Sequence, residues 1–310
     1  MSNRVGVLVM SYGTPESMDG IEEYYTHIRR GNAPTPELLA ELSGRYEAVV
    51  GGVFPLRENT NRQVAGLQAV LDNTQPGRYV CYQGLKHARP YIEDGVSNMA
   101  ADGIRQAIGI VLAPHYSTMS VGGYVLRAKE RADELGIQMT FVESYHLHPK
   151  LIEALVDRVQ TAIAPFNKEE PIKVLFSAHS LPVKIREVND PYESQLLETS
   201  SAVAEAAGVK DWQFTWQSAG RTRDPWLGPD ILETLKEVSS AGYKQVLAAP
   251  VGFVSDHLEV LYDLDIEAQA AAKGLDMKLA RIQMLNTDPL YMETLAESVI
   301  AKDLWTQEIE

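Results

Sequence analysis

One kind of segment occurs twice in this chain and limits the folds open to it. Val7-Leu8-Val9-Met10-Ser11-Tyr12-Gly13-Thr14-Pro15 aligns with Val174-Leu175-Phe176-Ser177-Ala178-His179-Ser180-Leu181-Pro182. In each, a short continuous apolar run breaks into a small-residue turn that ends at proline. Such runs suit strands buried on both faces of a parallel sheet. A second echo follows in the same order, Val111-Leu112-Ala113-Pro114 against Val246-Leu247-Ala248-Ala249-Pro250. Two matches in consistent order predict a duplicated α/β unit. A length of 310 residues suits two such domains. The predicted boundaries are 1–165 and 171–310, joined by the proline-containing linker Ala164–Pro171, with the last helix free to pack back on the first domain.

Further strand-like runs lie at Ile108–Ala113, Met139–Val142, Ile172–Phe176 and Gln245–Ala249. Between the runs fall amphipathic stretches at Glu58–Leu71, Ile92–Asp102, Gly123–Leu135, Lys150–Ile163, Gln195–Ala207 and Ile231–Ala241. Strands alternating with helices predict parallel sheets covered on both faces. Open parallel sheets bind ligands beyond the carboxyl ends of their strands. Tyr12, His115, His179 and the Pro250–Asp256 loop fall at such ends, which points to a cleft between the domains. Neither G-x-G-x-x-G after the first strand nor a Walker loop is present, which argues against a nucleoside-triphosphate enzyme or a nicotinamide dehydrogenase.

Charge and cysteine content narrow the chemistry. With 28 Lys+Arg against 42 Asp+Glu the formal charge is −14, a poor match to a nucleic-acid backbone. Cys81 is the single cysteine, so an intramolecular disulfide, a Cys-based zinc site and an iron–sulfur cluster held by this chain's own thiolates are excluded. The opening run Val5–Met10 is too short for a signal-peptide core, and no stretch of about 18 apolar residues could span a membrane. The expectation is a cytoplasmic protein.

Three constellations could carry chemistry. Glu259, Asp263 and Glu267 are spaced by four, one stripe of a helix. Such carboxylates repel one another, which suits either a solvated acidic face or a line of oxygen ligands for divalent cations. His179 stands at a strand end, where it is either a hydrogen-bonded core residue or an imidazole able to ligate a metal and accept a proton. His257 is read as lying on another helix face and organising the site, and His146 and His148 as surface residues. The third constellation is Tyr24-Tyr25-Thr26-His27-Ile28-Arg29-Arg30-Gly31 with Arg45-Tyr46. Arginine forks recognise carboxylates and tyrosine rings offer apolar platforms, which suggests a flat, anionic, partly apolar ligand. Core tyrosines and helix-surface charge are the plainer reading, and fit Arg30. Trp216–Pro229, rich in turn formers and aromatics, reads as a constrained loop that shapes a pocket.

Taken together, the Ser177–Pro182 motif, Trp216-Gln217-Ser218 with Pro225-Trp226-Leu227-Gly228-Pro229, and Pro250–Glu259 resemble the ferrochelatase family. Tyr24–Gly31 and Ala113–Thr118 extend the resemblance over nearly the whole chain, most closely to the short soluble bacterial branch that makes haem through coproporphyrin. It implies two Rossmann-like domains of chelatase type, and insertion of Fe²⁺ into a free-base porphyrin with loss of two pyrrole protons. The family's metal-site residues fall on His179 and Glu259, and its outer carboxylates on Asp263 and Glu267. Its porphyrin-contacting positions fall on Tyr12, Arg29, Arg45, Tyr46 and Tyr124. The segment Val50–Pro55 is about one residue longer than the family pattern, and Phe54 stands where close relatives place a serine that touches a propionate.

This resemblance implies no cofactor beyond the Fe²⁺ substrate, and partners limited to coproporphyrin III and iron, with a monomer expected. The first pyrrole proton is assigned to His179 and metal delivery to Glu259, with Asp263 and Glu267 staging the cation or exporting protons. Coproporphyrin III is favoured over protoporphyrin IX because the chain resembles the short branch and lacks a hydrophobic C-terminal extension; Asp303–Glu310 reads as acidic and solvated. A cobalt chelatase would be expected to carry more histidine at the metal site. A non-catalytic porphyrin or haem carrier would have no use for the acidic line.

Overall fold

A computed structural model describes residues 4–49, 54–220 and 222–304. The chain divides into two units; the first runs to Tyr145 and resumes at Asn286, and the second is His146–Leu285. Both differ from the predicted boundaries. The helix at Pro149–Ile163 belongs to the second unit rather than the first, whereas the return of the helix at Pro289–Ile300 to the first agrees with the expectation for the last helix.

In the first unit, strands β1 (Val5–Ser11), β2 (Tyr79–Leu85), β3 (Gln106–Val111) and β4 (Gln138–Val142) form a parallel sheet in the order β2-β1-β3-β4. Helices α1 (Ile21–Ile28), α2 (Pro36–Ala48), α3 (Pro55–Thr74), α4 (Ile92–Ala101) and α5 (Val121–Leu135) connect or flank them. In the second unit α6 (Pro149–Ile163) leads to β5 (Ile172–His179), α7 (Tyr192–Ala207), β6 (Trp212–Gln217), α8 (Ile231–Ser240), β7 (Gln245–Ala249) and β8 (Lys278–Arg281). This sheet is also parallel, in the order β6-β5-β7-β8. The two orders are the same permutation, and each pair of aligned motifs falls on equivalent strands, β1 with β5 and β3 with β7.

The central strands explain why these motifs were readable. Every residue of β1 and of β7 is buried, as a strand covered by helices on both faces requires. Strands β2, β6 and β8 were not foreseen. All three are sheet edges, half-covered and mixed in composition, as in Tyr79-Val-Cys-Tyr-Gln-Gly-Leu85. In both sheets the connections leave the first strand for the edge and then cross back, so the switch point lies between β1 and β3, and between β5 and β7. Crevices beyond the carboxyl ends of strands open at such points.

After β7, the Pro250–Asp256 loop leads into one continuous helical stretch. It is α9 (Leu258–Tyr262), then a π turn (Asp263–Ala268), then α10 (Gln269–Gly274). The final helix, α11 (Pro289–Ile300), packs on α3 and β3 of the first unit.

The chain end departs from expectation. Asp303, read as part of a solvated tail, has a fully buried side chain in the first unit. Arg78 grips it with Nε at 3.1 Å and Nη2 at 2.9 Å, and Tyr79 donates its hydroxyl to the same carboxylate at 2.9 Å. Residues 305–310 and the 50–53 part of the lengthened loop lie outside the described residues.

Candidate functional site

The second unit assembles its polar groups at the ends of β5, β6 and β7. His179 is the last residue of β5 and is paired with Gln217, the last of β6. Its Nδ1 faces the Ser180 carbonyl at hydrogen-bond distance. A carbonyl can only accept, so Nδ1 carries the hydrogen, and Nε2 holds the lone pair whenever the ring is neutral. That Nε2 lies 3.5 Å from Glu259 Oε1. His257, the residue before α9, repeats the arrangement: Nδ1 donates to Ser255 O at 2.9 Å, and Nε2 lies 3.5 Å from Glu259 Oε2. Two imidazole nitrogens thus converge on the two oxygens of one carboxylate.

Surrounding contacts fix this cluster. Tyr192 donates its hydroxyl to the His179 carbonyl at 3.0 Å, and Gln217 Nε2 donates to the Glu259 carbonyl at 3.3 Å. Gln217 is oriented in turn by Ser177 Oγ at 2.9 Å. The loop after β7 lies so close to β5 that a Cβ on Gly252 would sit 2.3 Å from Ala178 Cβ, so only glycine fits beside the strand that carries His179. The Trp226 ring lies over Gly220, where a Cβ would meet it at 2.3 Å, with its centroid 6.2 Å from that of His179.

Glu259 and Asp263 are brought near His179 by the same helical stretch, though that stretch is not α throughout. In an α-helix a step of four overshoots one turn, so a stripe at that spacing drifts around the axis. In the wider π turn, closed i→i+5, a step of four falls short of a turn and offsets the drift. The helix therefore passes Glu259 in α geometry and Asp263 to Glu267 in π geometry. Asp263 is buried, and Ser218 Oγ donates to its Oδ2 at 2.5 Å. Ser218 holds φ at +60°, a left-handed conformation that costs a non-glycine residue energy and is tolerated where the surroundings enforce it.

Electrostatics ties His179 to Glu259. Burial disfavours the imidazolium, but the adjacent Glu259 charge outweighs burial, so the pKa of His179 is raised to about 9. Burial likewise pushes Glu259 up, yet His179 and His257 together draw it well below the ordinary carboxylate range. At neutral pH the pair is imidazolium and carboxylate. The stability it contributes follows by linkage. The His179 part is complete below its ordinary value of 6.5 and is lost as pH rises through about 9. The Glu259 part is complete above its ordinary 4.5 and is lost only as pH falls below that. The difference in unfolding midpoint between the wild type and His179→Ala is therefore expected to shrink between pH 6.5 and 9. A difference that stays constant over that range would contradict the pairing.

In the first unit, Tyr12 follows β1 and is exposed, its ring 4.7 Å from that of His87. His87 Nδ1 is 3.0 Å from His27 Nδ1, and His27 stacks on Tyr91. Burial, with Lys86 next to it, lowers the His87 pKa to about 3, so this ring is neutral. Lys86 lies 4.6 Å from the Tyr124 ring centroid, and burial lowers its pKa to about 8. Tyr46 and Tyr124 are buried side chains: the Tyr46 hydroxyl is 3.2 Å from Thr14 Oγ1, and Tyr124 belongs to the apolar core. Phe54 packs on Tyr46 with centroids 4.7 Å apart. Arg29 and Arg45 are half-buried; Arg29 Nε donates to Asn32 O at 3.2 Å, and Arg45 Nε lies 3.9 Å from Glu41. His115 is buried, and His146, read as a surface residue, is half-buried with Nε2 2.7 Å from Glu198.

Sequence reasoning did not single out Lys86, His87, Gln217 or Ser218 as individuals. One signal bore on two of them: Gln217-Ser218 sits inside the tryptophan motif, whereas Lys86-His87 follows β2, an edge strand that the sequence pattern did not reveal. Among the described residues, no group of three or more His, Cys, Asp or Glu side chains is gathered so as to hold a metal ion. The His179–Glu259 pair is instead joined by its own charge.

The fold is that of the chelatases. SirB of Bacillus subtilis with Fe³⁺ superposes with a TM-score of 0.61 at 11% identity, covering 99% of this chain and 98% of that one. A CbiX described as the terminal enzyme of sirohaem biosynthesis in denitrifying bacteria superposes at 0.54 with 13% identity, covering 96% and 99%. The sequence goes further: a ferrochelatase family model matches residues 4–303, and the chain belongs to the ferrochelatase family. It is 46% identical to the coproporphyrin III ferrochelatase of Bacillus subtilis over 96% of this chain and 98% of that protein. It is 44% identical to the ferrochelatase of Herpetosiphon aurantiacus, over 95% and 98%.

Proposed function

We propose that the chain inserts Fe²⁺ into coproporphyrin III with release of two pyrrole protons, acting in the cytoplasm as a monomer. The observation that carries the reading is the convergence of His179 Nε2 and His257 Nε2 on the Glu259 carboxylate, inside a ferrochelatase chain. Among the described residues no helix is long and apolar enough to cross a membrane, which is compatible with that location.

The chemistry follows from the charges. Glu259 is ionised and can ligate arriving iron at once, whereas His179 must first lose its proton. Iron binding therefore displaces one proton from the pair. When the metal passes to the ring nitrogens, His179 Nε2 and Glu259 are left as bases within reach of the two pyrrole protons. One proton restores the imidazolium, and the other leaves Glu259 along Asp263 and Glu267. This retains metal delivery for Glu259 and makes His179 the acceptor only after iron has arrived.

On the first unit, Tyr12 supplies an exposed ring beside neutral His87, and Arg29 and Arg45 supply charge for the substrate's carboxylates. Arg29→Ala is expected to raise the KM for coproporphyrin about 5–10-fold, the worth of one partly exposed charge-assisted hydrogen bond, with little change in kcat. An unchanged KM would remove Arg29 from the porphyrin site.

One observation favours protoporphyrin IX as a second reading. Phe54 on Tyr46 makes an apolar wall, better matched to a vinyl edge than to a propionate. Anaerobic assay with coproporphyrin III, protoporphyrin IX or sirohydrochlorin, each with Fe²⁺ or Co²⁺, decides among the chelatase readings. Conversion of free-base to metallated absorption bands is expected to be fastest with coproporphyrin III and Fe²⁺. Faster conversion with protoporphyrin IX would establish the second reading, preferred reaction of sirohydrochlorin with Co²⁺ would make this a cobalt chelatase, and binding without conversion would make it a carrier.

A further inference from the structure

Between residues 256 and 267 the sequence carries five carboxylates: Asp256, Glu259, Asp263, Asp265 and Glu267. Three of them form the line discussed above. The other two are taken up by a single side chain. Arg281 ends β8, where it pairs with Ala248 of β7, so its backbone is fixed in the sheet. Its Nε and Nη2 hold the two oxygens of Asp265 at 2.8 Å each, and Nη2 also reaches Asp256 Oδ1 at 3.3 Å. Nη1 donates to the Ile282 carbonyl at 2.9 Å, which fixes the rotation of the guanidinium plane. The side chain is only 15% exposed.

We propose that Arg281 is the positioning residue for the carboxylate line: it fastens the loop before Glu259 and the π turn that carries Asp263 to the edge of the same sheet, and so sets the spacing at which iron is handed along. Asp256 lies just before α9 and Asp265 lies inside the π turn, so the fork brackets Glu259 and Asp263 without touching either. Its planar geometry matters, because a lysine could satisfy one carboxylate but not hold two in register. The charge placement is also selective. Arg281 neutralises one acid ahead of the line and one interleaved with it, which lowers repulsion along the helix and leaves the field of the other three for a cation. The π turn is a rare geometry, and here it is held from both sides, by Ser218 on Asp263 and by Arg281 on Asp265.

The inference rests on the reading that His179 and Glu259 handle iron, and the test separates the two. Steady-state kinetics with Fe²⁺ and coproporphyrin varied independently are to be run on the full chain carrying Arg281→Ala, Arg281→Lys, Asp265→Asn or Glu259→Gln. Arg281→Ala is expected to raise the KM for Fe²⁺ about 10-fold, as loss of a metal-orienting contact does, with the KM for porphyrin unchanged. Arg281→Lys is expected to recover only part of the loss. Asp265→Asn is expected to reproduce much of it, and to add little when combined with Arg281→Ala. Should Arg281→Ala fail to fold, Asp265→Asn and Arg281→Lys carry the same prediction. An unchanged KM for Fe²⁺, or a parallel rise in both KM values, would overturn the positioning role. Retention of activity by Glu259→Gln would instead overturn the underlying site.

Discussion

Replacing His179 by alanine is expected to slow metallation roughly 10²–10⁴-fold while leaving porphyrin binding measurable. The size follows from losing an acceptor at the reacting centre. The selectivity follows from position: His179 belongs to the second unit, whereas Tyr12, His87, Arg29 and Arg45 belong to the first. Single-turnover iron insertion, paired with a fluorescence titration of the free porphyrin, separates the two effects. Normal insertion by the variant would remove His179 from the mechanism. Loss of porphyrin affinity in proportion to the loss of rate would make the residue a binding determinant only. Glu259→Gln should show the same pattern, because an amide can neither balance an imidazolium nor hold iron through an anionic oxygen.

The second large effect concerns stability. Asp303→Ala leaves Arg78 with its charge largely buried and Tyr79 without its acceptor. Removing one partner of a buried ion pair costs about 3–5 kcal/mol. Asp303→Asn should lose less, because the amide still accepts from Tyr79. Urea unfolding followed by the signal of the first unit measures both. A change of less than about 1 kcal/mol in Asp303→Ala would show that the pair is no stronger than a surface one. The contact matters for the architecture, since it fastens the returning chain beyond α11 to the start of β2.

How much of this was legible in the sequence depended on whether a feature was local. Strands β1, β5 and β7 announce themselves as unbroken apolar runs because helices cover both faces, and the aligned motifs anticipated a duplicated α/β unit, though not its strand order. Edge strands β2, β6 and β8 carry mixed residues and give no such signal. The return of the last helix to the first unit was allowed for, but the boundary was misplaced: the proline-containing stretch 164–171 looked like a linker, whereas the division falls before α6, where no local pattern marks it. Asp303 looked like one acid in a polar tail because its partners, Arg78 and Tyr79, are remote in sequence. At the site, the spacing of Glu259, Asp263 and Glu267 was visible, but the π turn was not, since periodicity cannot distinguish a helix that changes its winding. His257 was expected on another face, yet its Nε2 comes to Glu259 because it precedes the helix in extended backbone, with φ −157° and ψ 178°. Arg281 lies on the far side of a strand and a helix from its partners, and became recognisable only when β8 was placed beside β7.

If iron enters at the His179–Glu259 pair, it meets an imidazolium whose proton it must displace. Calorimetric titration of the porphyrin-free protein with Zn²⁺, a redox-inert stand-in for iron, near pH 7.5 in buffers of different ionisation enthalpy, counts the protons released on binding. About one proton per metal ion is expected from the wild type, because the imidazolium must give up its hydrogen to become a ligand, and none from His179→Ala. Metal binding with no proton release, or with equal release from His179→Ala, would contradict the claim.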